Sequence, residues 1–299
     1  MATFSQMVDE VTRKLSGFTL RQDRQTHLTA ALTASATSIS VGSAVNISTG
    51  IIQIDDELIF IDSFDRTTGT LSVPPYGRGY NGTNASSHVS GAKVVISPSF
   101  PTLDVKAAIN ETVLATFPDL YATGVHTFTY QPARSTYSLP NEVYQVLGLS
   151  FESIGPTRQW VPVKRWRLDS MANTAAFDSS KSITLISGIQ PGRTVQVFYT
   201  AEPSPMQNGS DDFSTVTGLP ESTKDVIVLG AQYRLVSQID PGRLTFGSAE
   251  SDQQSQIAGR SYGAGLNSAK YLLALYQQRL DAESRKLNLA HPTRVHYTN

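Results

Sequence analysis

Apolar residues recur at two periods along this chain, and the alternation between those periods sets its organisation. Phe4, Met7, Val8, Val11 and Leu15 return every three or four positions, which predicts a helix over residues 3–16 with Gly17 as its stop. From residue 26 to 97 the period shortens. Ile39 and Val41 alternate with Ser, and residues 52–61 read as one strongly apolar strand carrying Asp55, Asp56 and Glu57. The turn signal Asp65-Arg66-Thr67-Thr68-Gly69 leads into residues 70–73 as the second arm of a hairpin. Val94, Val95 and Ile96 close this small β-domain.

A helical period returns over residues 102–122. Thr102 can cap it, Asp104 suits its positive end, and Leu103, Val113, Leu114 and Phe117 mark one face, with Pro118 interrupting the last turn. Residues 125–203 are β-rich again: Leu147, Leu149 and Phe151 alternate, as do Trp160, Lys164, Trp166 and Leu168. Val195, Val197 and Tyr199 follow the turn Pro191-Gly192, which predicts pairing with Ile183 and Leu185. Pro203, Pro205, Gly209 and Gly218 mark residues 203–218 as a loop. Pro220 then fits a first helical position, and Val226, Leu229, Tyr233 and Val236 run at helical spacing until Asp240-Pro241-Gly242. The final helix carries Leu266, Leu273, Tyr276, Leu280 and Leu287 on one stripe. If it starts near Ser251 it is ~55 Å long at ~1.5 Å per residue.

No single helix of this set can bury its stripe alone. The expected fold is therefore α+β, with a four-helix bundle assembled from distant segments. Residues 1–25 and 99–124 form its first part and 204–287 its second, with β-rich insertions at 26–98 and 125–203 and an extended C-terminal arm at 288–299. Its core is expected to hold Leu103, Val113, Phe117, Val226, Leu229, Tyr233, Leu273, Tyr276 and Leu280.

Composition narrows the function. Charged residues are 16% of the chain against a usual ~25%, and the net charge is −1, which gives no bulk attraction to nucleic acid or anionic membrane. There is no cysteine, so thiolate chemistry, disulfides and Cys-based zinc sites are out. The N-terminus carries acids and no apolar core, unlike a signal peptide, and no apolar run nears the ~18 residues of a membrane span.

The candidate motifs read as structural. Gly77-Arg78-Gly79-Tyr80-Asn81-Gly82 matches G-x-G-x-x-G in form. Yet Pro74-Pro75 precede it and the next element is a strand, whereas a dinucleotide site needs a strand before and a helix after. It reads as a loop whose glycines supply positive φ. Asp55, Asp56, Glu57 and Asp62 could ligate a divalent cation, but strand alternation splits them between faces, and a solvated strand edge is expected. His27, His88, His126, His291 and His296 show no paired-ligand spacing. The run from Trp160 to Arg167 mixes aromatics and cations as a nucleic-acid surface does, but is expected to be a strand burying its Trp pair. No catalytic, cofactor or metal residues are assigned. Beyond Glu283 the chain has no acid, while Arg285, Lys286 and Arg294 carry positive charge. That composition suits an arm that orders on a partner.

The run TLDVKAAINETVLATFPDLYA (102–122), followed by β-structure and then LPESTKDVIVLGAQYRLVSQIDPGRL (219–244), resembles head-to-tail adaptor proteins of tailed bacteriophages. Separately, residues 37–95 are similar to a β-module recurring in phage tail and neck proteins, through Arg78-Gly79, Gly82-Thr83, Ala85, His88 and Gly91. The adaptor resemblance implies a helical ring body with a β-rich insertion between its second and third helices. It implies a homo-oligomeric ring, most often dodecameric, docked beneath the portal protein in the virion neck and joined to a tail or second neck protein. Double-stranded DNA would pass through it without sequence-specific binding, and no cofactor or membrane is involved. The arm expected to reach the portal holds Leu287, Leu289, His291, Pro292, Arg294, Val295, His296 and Tyr297. The first β-domain departs from the plainest adaptors. A tail-associated host-recognition protein, or a cell-wall hydrolase with two carboxylates of separated pKa, are the alternatives from other classes.

Overall fold

The computed structural model describes residues 2–18, 23–153, 159–186, 188–238 and 264–292. It is mixed α+β. Helix α1 (Phe4–Leu15) is followed by strands β1 (Arg24–His27), β2 (Ser38–Ser40), β3 (Gly50–Ile54), β4 (Glu57–Ile61), β5 (Ser63–Asp65), β6 (Thr70–Ser72) and β7 (Lys93–Ile96). Helix α2 (Thr102–Ala115) leads to β8 (Ala122–Thr129), β9 (Thr136–Ser138), β10 (Gln145–Glu152), β11 (Trp160–Pro162), β12 (Trp166–Asp169), β13 (Ser182–Leu185) and β14 (Thr194–Ala201). Helices α3 (Phe213–Thr217), α4 (Lys224–Gln238) and α5 (Ala264–Ala290) complete the described chain. The residues divide into two compact units, one of 5–109 and 228–273, the other of 1–4, 110–227 and 274–299.

The first unit holds two antiparallel sheets, ordered β1-β7-β3-β4 and β2-β6-β5. Ile52, Ile54, Ile59, Ile61, Val94 and Ile96 from the larger sheet meet Ile39 and Leu71 from the smaller in one core. Each such buried side chain is worth roughly 1.5–3 kcal/mol. The apolar run 52–61, expected as one strand, is instead the hairpin β3–β4, pairing Ile54 with Glu57 across Asp55-Asp56. Asp55 takes φ 51, a left-handed conformation that Asp tolerates and a two-residue hairpin turn demands. The expected arm at 70–73 does form a hairpin, β5–β6, around Asp65 to Gly69. The unit's first strand pairs with its last, Arg24 opposite Ile96.

The second unit repeats that plan with the sheets β11-β10-β14-β8 and β12-β13-β9. Leu149, Val195, Val197 and Tyr199 pack against Tyr137, Ile183 and Leu185, and the Phe128 and Tyr137 rings stack at 4.2 Å. The expected pairing of β14 with β13 does not occur. Strand β14 lies between β10 and β8, while β13 lies between β12 and β9, so the two meet face to face through the core. The connection around Pro191-Gly192 crosses between sheets, which a tight hairpin could not do. Here too the first strand pairs with the last, Ala122 opposite Ala201.

The helices depart from the sequence reading in detail. α2 ends at Ala115, ahead of Pro118, whose ring disfavours a helical residue before it. The last residues of the expected helix turn into β8. The buried side of α2 is Val105, Ala108, Ile109, Thr112 and Val113, continued by Thr116 just past its end. Leu103 and Leu114 are exposed at 39% and 40%, because at ~100° per residue they lie across the helix from Val105. Phe117 is only half-buried. In α4, Val226, Ile227, Val228, Ala231 and Leu235 are buried, and Leu229 and Tyr233 are half-buried. In α5, Ala269, Leu272 and Leu287 are buried, and Leu273, Tyr276 and Leu280 are half-buried. Small and polar residues share the buried stripes, so large side chains alone misplaced their centre. The expected loop 203–218 contains α3, capped by Asp212 accepting from the Thr215 N–H at 3.0 Å and closed by Gly218 at φ 71. The signal at Asp240-Pro241-Gly242 and the start near Ser251 lie outside the described residues.

In urea unfolding, Ile109→Ala is expected to cost ~2–5 kcal/mol, and Leu103→Ala to stay within ~0.5 kcal/mol of wild type. Equal losses would mean the facing of α2 is misassigned.

Candidate functional site

A buried polar constellation lies in the first unit, around Glu57 at the start of β4. Its side chain is fully buried, and both oxygens are engaged. Oε1 accepts from Arg78 Nε at 2.7 Å and the Gly79 N–H at 3.0 Å. Oε2 accepts from Arg78 Nη2 at 2.9 Å and the Ser86 N–H at 3.1 Å. His88 Nε2 lies 2.8 Å from Oε2, and its Nδ1 lies 2.7 Å from Asp55 Oδ2. The guanidinium of Arg78 also donates to the carbonyls of Thr33, Ala36 and Ser86. Burial alone would raise the Glu57 pKa. The hydrogen bonds from Arg78, His88 and the Ser86 and Gly79 N–H groups outweigh it and hold the carboxyl at about 2.

Local sequence builds this clamp. Gly79 sits at φ 59 with no room for a side chain, since a Cβ there would lie 2.7 Å from the Thr83 carbonyl. Thr83 turns its hydroxyl to the Leu58 N–H at 3.1 Å and to Tyr80 O at 2.9 Å, tying the loop to β4. The His88 backbone exchanges two hydrogen bonds with Leu32, both 2.8 Å. Thus Arg78, Gly79, Thr83 and His88, which carry the resemblance to a recurrent β-module, converge on Glu57 and its strand.

Glu57 is therefore no part of a solvated strand edge, as expected from its neighbours; five donors offset its desolvation. Asp55 and Asp56 do stay exposed, and Asp56 meets Lys106 Nζ at 2.6 Å. The clamp has no free carboxylate oxygen to take a proton from a substrate, and a carboxyl at about 2 is a poor base near neutrality. Among the described residues no group of three or more His, Cys, Asp or Glu is arranged to hold a metal ion. An open groove of about 630 Å³ in the same unit is lined by residues such as Thr37, Ser38, Phe64 and Asp65. The carboxylate of Asp65 is already bonded to the Thr67 N–H and the Thr68 hydroxyl, both at 2.8 Å.

A second buried carboxylate, Glu283 of α5, lies in the other unit. It accepts from the Ser222 hydroxyl at 3.0 Å, from Lys286 and from Arg279, whose Nε reaches Asp225 at 2.7 Å. Burial pushes its pKa up, and these partners bring it below the ordinary glutamate value. Ala2 N is bonded to Glu221 at 3.0 Å beside this cluster in sequence.

The expected arm residues are divided. Leu287 is buried within α5, which runs on to Ala290, so it belongs to the helix and not to an extended segment. Leu289 is 82% exposed, His291 half-buried and Pro292 exposed. Arg294, Val295, His296 and Tyr297 lie outside the described residues. In the aromatic and basic run, Trp166 packs on the core as expected but Trp160 is 42% exposed on β11. No helix among the described residues is long and apolar enough to cross a membrane. The sequence matches no protein-family model and no curated protein.

Arg78→Ala leaves Glu57 buried without its countercharge and is expected to cost ~3–5 kcal/mol in chemical denaturation. Arg78→Lys should recover only part of this, since an ammonium cannot form the paired bonds; full recovery would show that charge alone matters. Because the folded pKa of Glu57 lies below its unfolded value of 4.5, its contribution is complete above 4.5 and drains as pH falls toward about 2. Melting temperature followed over that window should fall less steeply in Glu57→Gln than in wild type. Parallel curves would assign the acid sensitivity elsewhere.

Proposed function

We propose that the chain is a structural subunit of a tailed-phage neck: a homo-oligomeric ring, dodecameric in the fullest form of this reading. The ring joins the portal protein to a tail or second neck protein and encloses the DNA channel. The observation that carries this is the self-closed β-unit between α2 and α4. Ala122 and Ala201 are paired neighbours, so the chain leaves the helical path and returns to it at one point. That is the insertion plan expected from the resemblance to adaptor proteins. In this reading α1, α2, α4 and α5 contribute to one bundle, the finer form of the α+β fold.

Two further features support a passive conduit over an enzyme. The buried carboxylates Glu57 and Glu283 are saturated by partners, which suits structural ties. A chain with net charge −1 would not grip passing DNA, since tight phosphate neutralisation needs many Lys and Arg. The residues after α5 are assigned to the portal contact, and the mature site of action is the virion, with synthesis in the bacterial cytoplasm.

Native mass spectrometry with and without portal tests the reading. The expected result is a large ring, alone or formed only on portal, that loses portal attachment when residues 293–299 are removed. A chain whose mass is indifferent to portal would overturn it.

A further inference from the structure

Strand β8 ends its sheet, and no strand among the described residues pairs with its outer edge. Tyr130, one residue past its end, donates to Arg193 O at 2.8 Å. The antiparallel alternation then turns the backbone groups of Ala122, Gly124, His126 and Phe128 toward β14, and those of Thr123, Val125, Thr127 and Thr129 away from it. The same four residues have exposed side chains, Val125 at 54%.

Long edges of this kind are usually blunted by charged side chains, Pro or a bulge. β8 reads ATGVHTFT and has none of Lys, Arg, Asp, Glu or Pro. Its ladder with β14 runs through all its residues without a register shift; the irregularity of this sheet lies at Val146 and Gly148 of β10. The one titratable side chain, His126, faces inward and is half-buried, and burial pushes its pKa down against the pull of Glu142. The solvent face beside the edge is also uncharged: Val125 stands next to Phe198, which is 40% exposed, Thr127 next to Gln196 and Thr129 next to Thr194.

We propose that β8 pairs with β8 of a second copy of this chain, antiparallel about a two-fold axis, so that two four-stranded sheets become one. An exposed row of N–H and C=O groups selects an extended strand as its occupant. The other end of the sheet, β11, offers only Trp160–Pro162, and Pro162 has no N–H to give. A second β8 matches the edge in length. Outward residues must face outward residues, and the register that pairs all four of them places His126 on the axis, Val125 opposite Thr127 and Thr123 opposite Thr129 of the second copy. No charges meet in this register, and Thr–Thr pairs suit an exposed antiparallel face. A two-fold contact closes on itself and cannot propagate a ring. The pair is therefore a state of the free subunit, and the inference does not rest on the neck reading.

Sedimentation equilibrium of the full chain without portal, over a concentration series, tests it. Wild type is expected to show a reversible monomer–dimer equilibrium. Val125→Lys, a change on the solvent face only, should weaken association by about tenfold or more. Thr127→Pro, which removes an outward N–H and no ladder bond, should do the same. Circular dichroism would establish that each variant is folded, and if Thr127→Pro is not, Val125→Lys alone decides. Wild type that is monomeric throughout, that forms rings with no dimer, or whose dimer is as tight in Val125→Lys, would overturn the proposal. Portal attachment can succeed or fail whether the free chain is monomeric or dimeric, whereas a ring formed without portal and without a dimer would support the neck reading and overturn this one.

Discussion

The pairing of the first strand with the last in each β-unit is the constraint on which the rest of the chain is arranged. β1 lies against β7, and β8 against β14, each pair antiparallel and in register. The chain thus enters and leaves each unit through adjacent residues. To the helices on either side, a segment such as 122–201 behaves as a short connection. Closing a long loop would otherwise cost entropy that grows slowly with its length. The sheet ladder and the apolar core inside each unit supply that closure, so the helical path is spared it.

That plan explains why so much of the fold was legible. Period-two runs around Ile39 and Val195 marked strands, because half-buried strands show their alternation directly, although β1 and β8 start at Arg24 and Ala122, ahead of the expected starts at 26 and 125. Pairing partners were harder. Asp55-Asp56 within an apolar run is a hairpin turn, yet it looks like two charges on a strand until the positive φ of Asp55 is seen. Pro191-Gly192 is a sound turn signal, but it does not say whether the chain turns back in the plane of one sheet or crosses to the other. In the helices, weight given to Leu103 and Leu114 obscured the stripe Val105–Ile109–Thr112–Thr116, where smaller and polar residues are the buried ones.

The clamp at Glu57 was the least legible feature. Its donors come from residues 78–88, and two of them are backbone N–H groups that no side-chain pattern announces. The glycines beside Arg78 were a partial signal: they mark a loop shaped to bring a guanidinium and main-chain donors to one place. As residue types, Arg78, His88 and the acids resemble ligands for a phosphate or a metal ion. The structure answers that they bind one another, and the same holds for Glu283 with its partners on α5 and beyond. In a chain with few charges, these buried ones are spent on fixing loops and helix ends to their neighbours.

The adjacency of Ala122 and Ala201 also has a mechanical side. Tension applied along the polypeptide at these two points would separate β8 from β14 starting at their shared end, one residue pair after another. Strands loaded from opposite ends must instead slide and break their bonds together, which takes a larger force. A pull on the flanking chain would therefore open the insertion from its root and leave its far end intact longest.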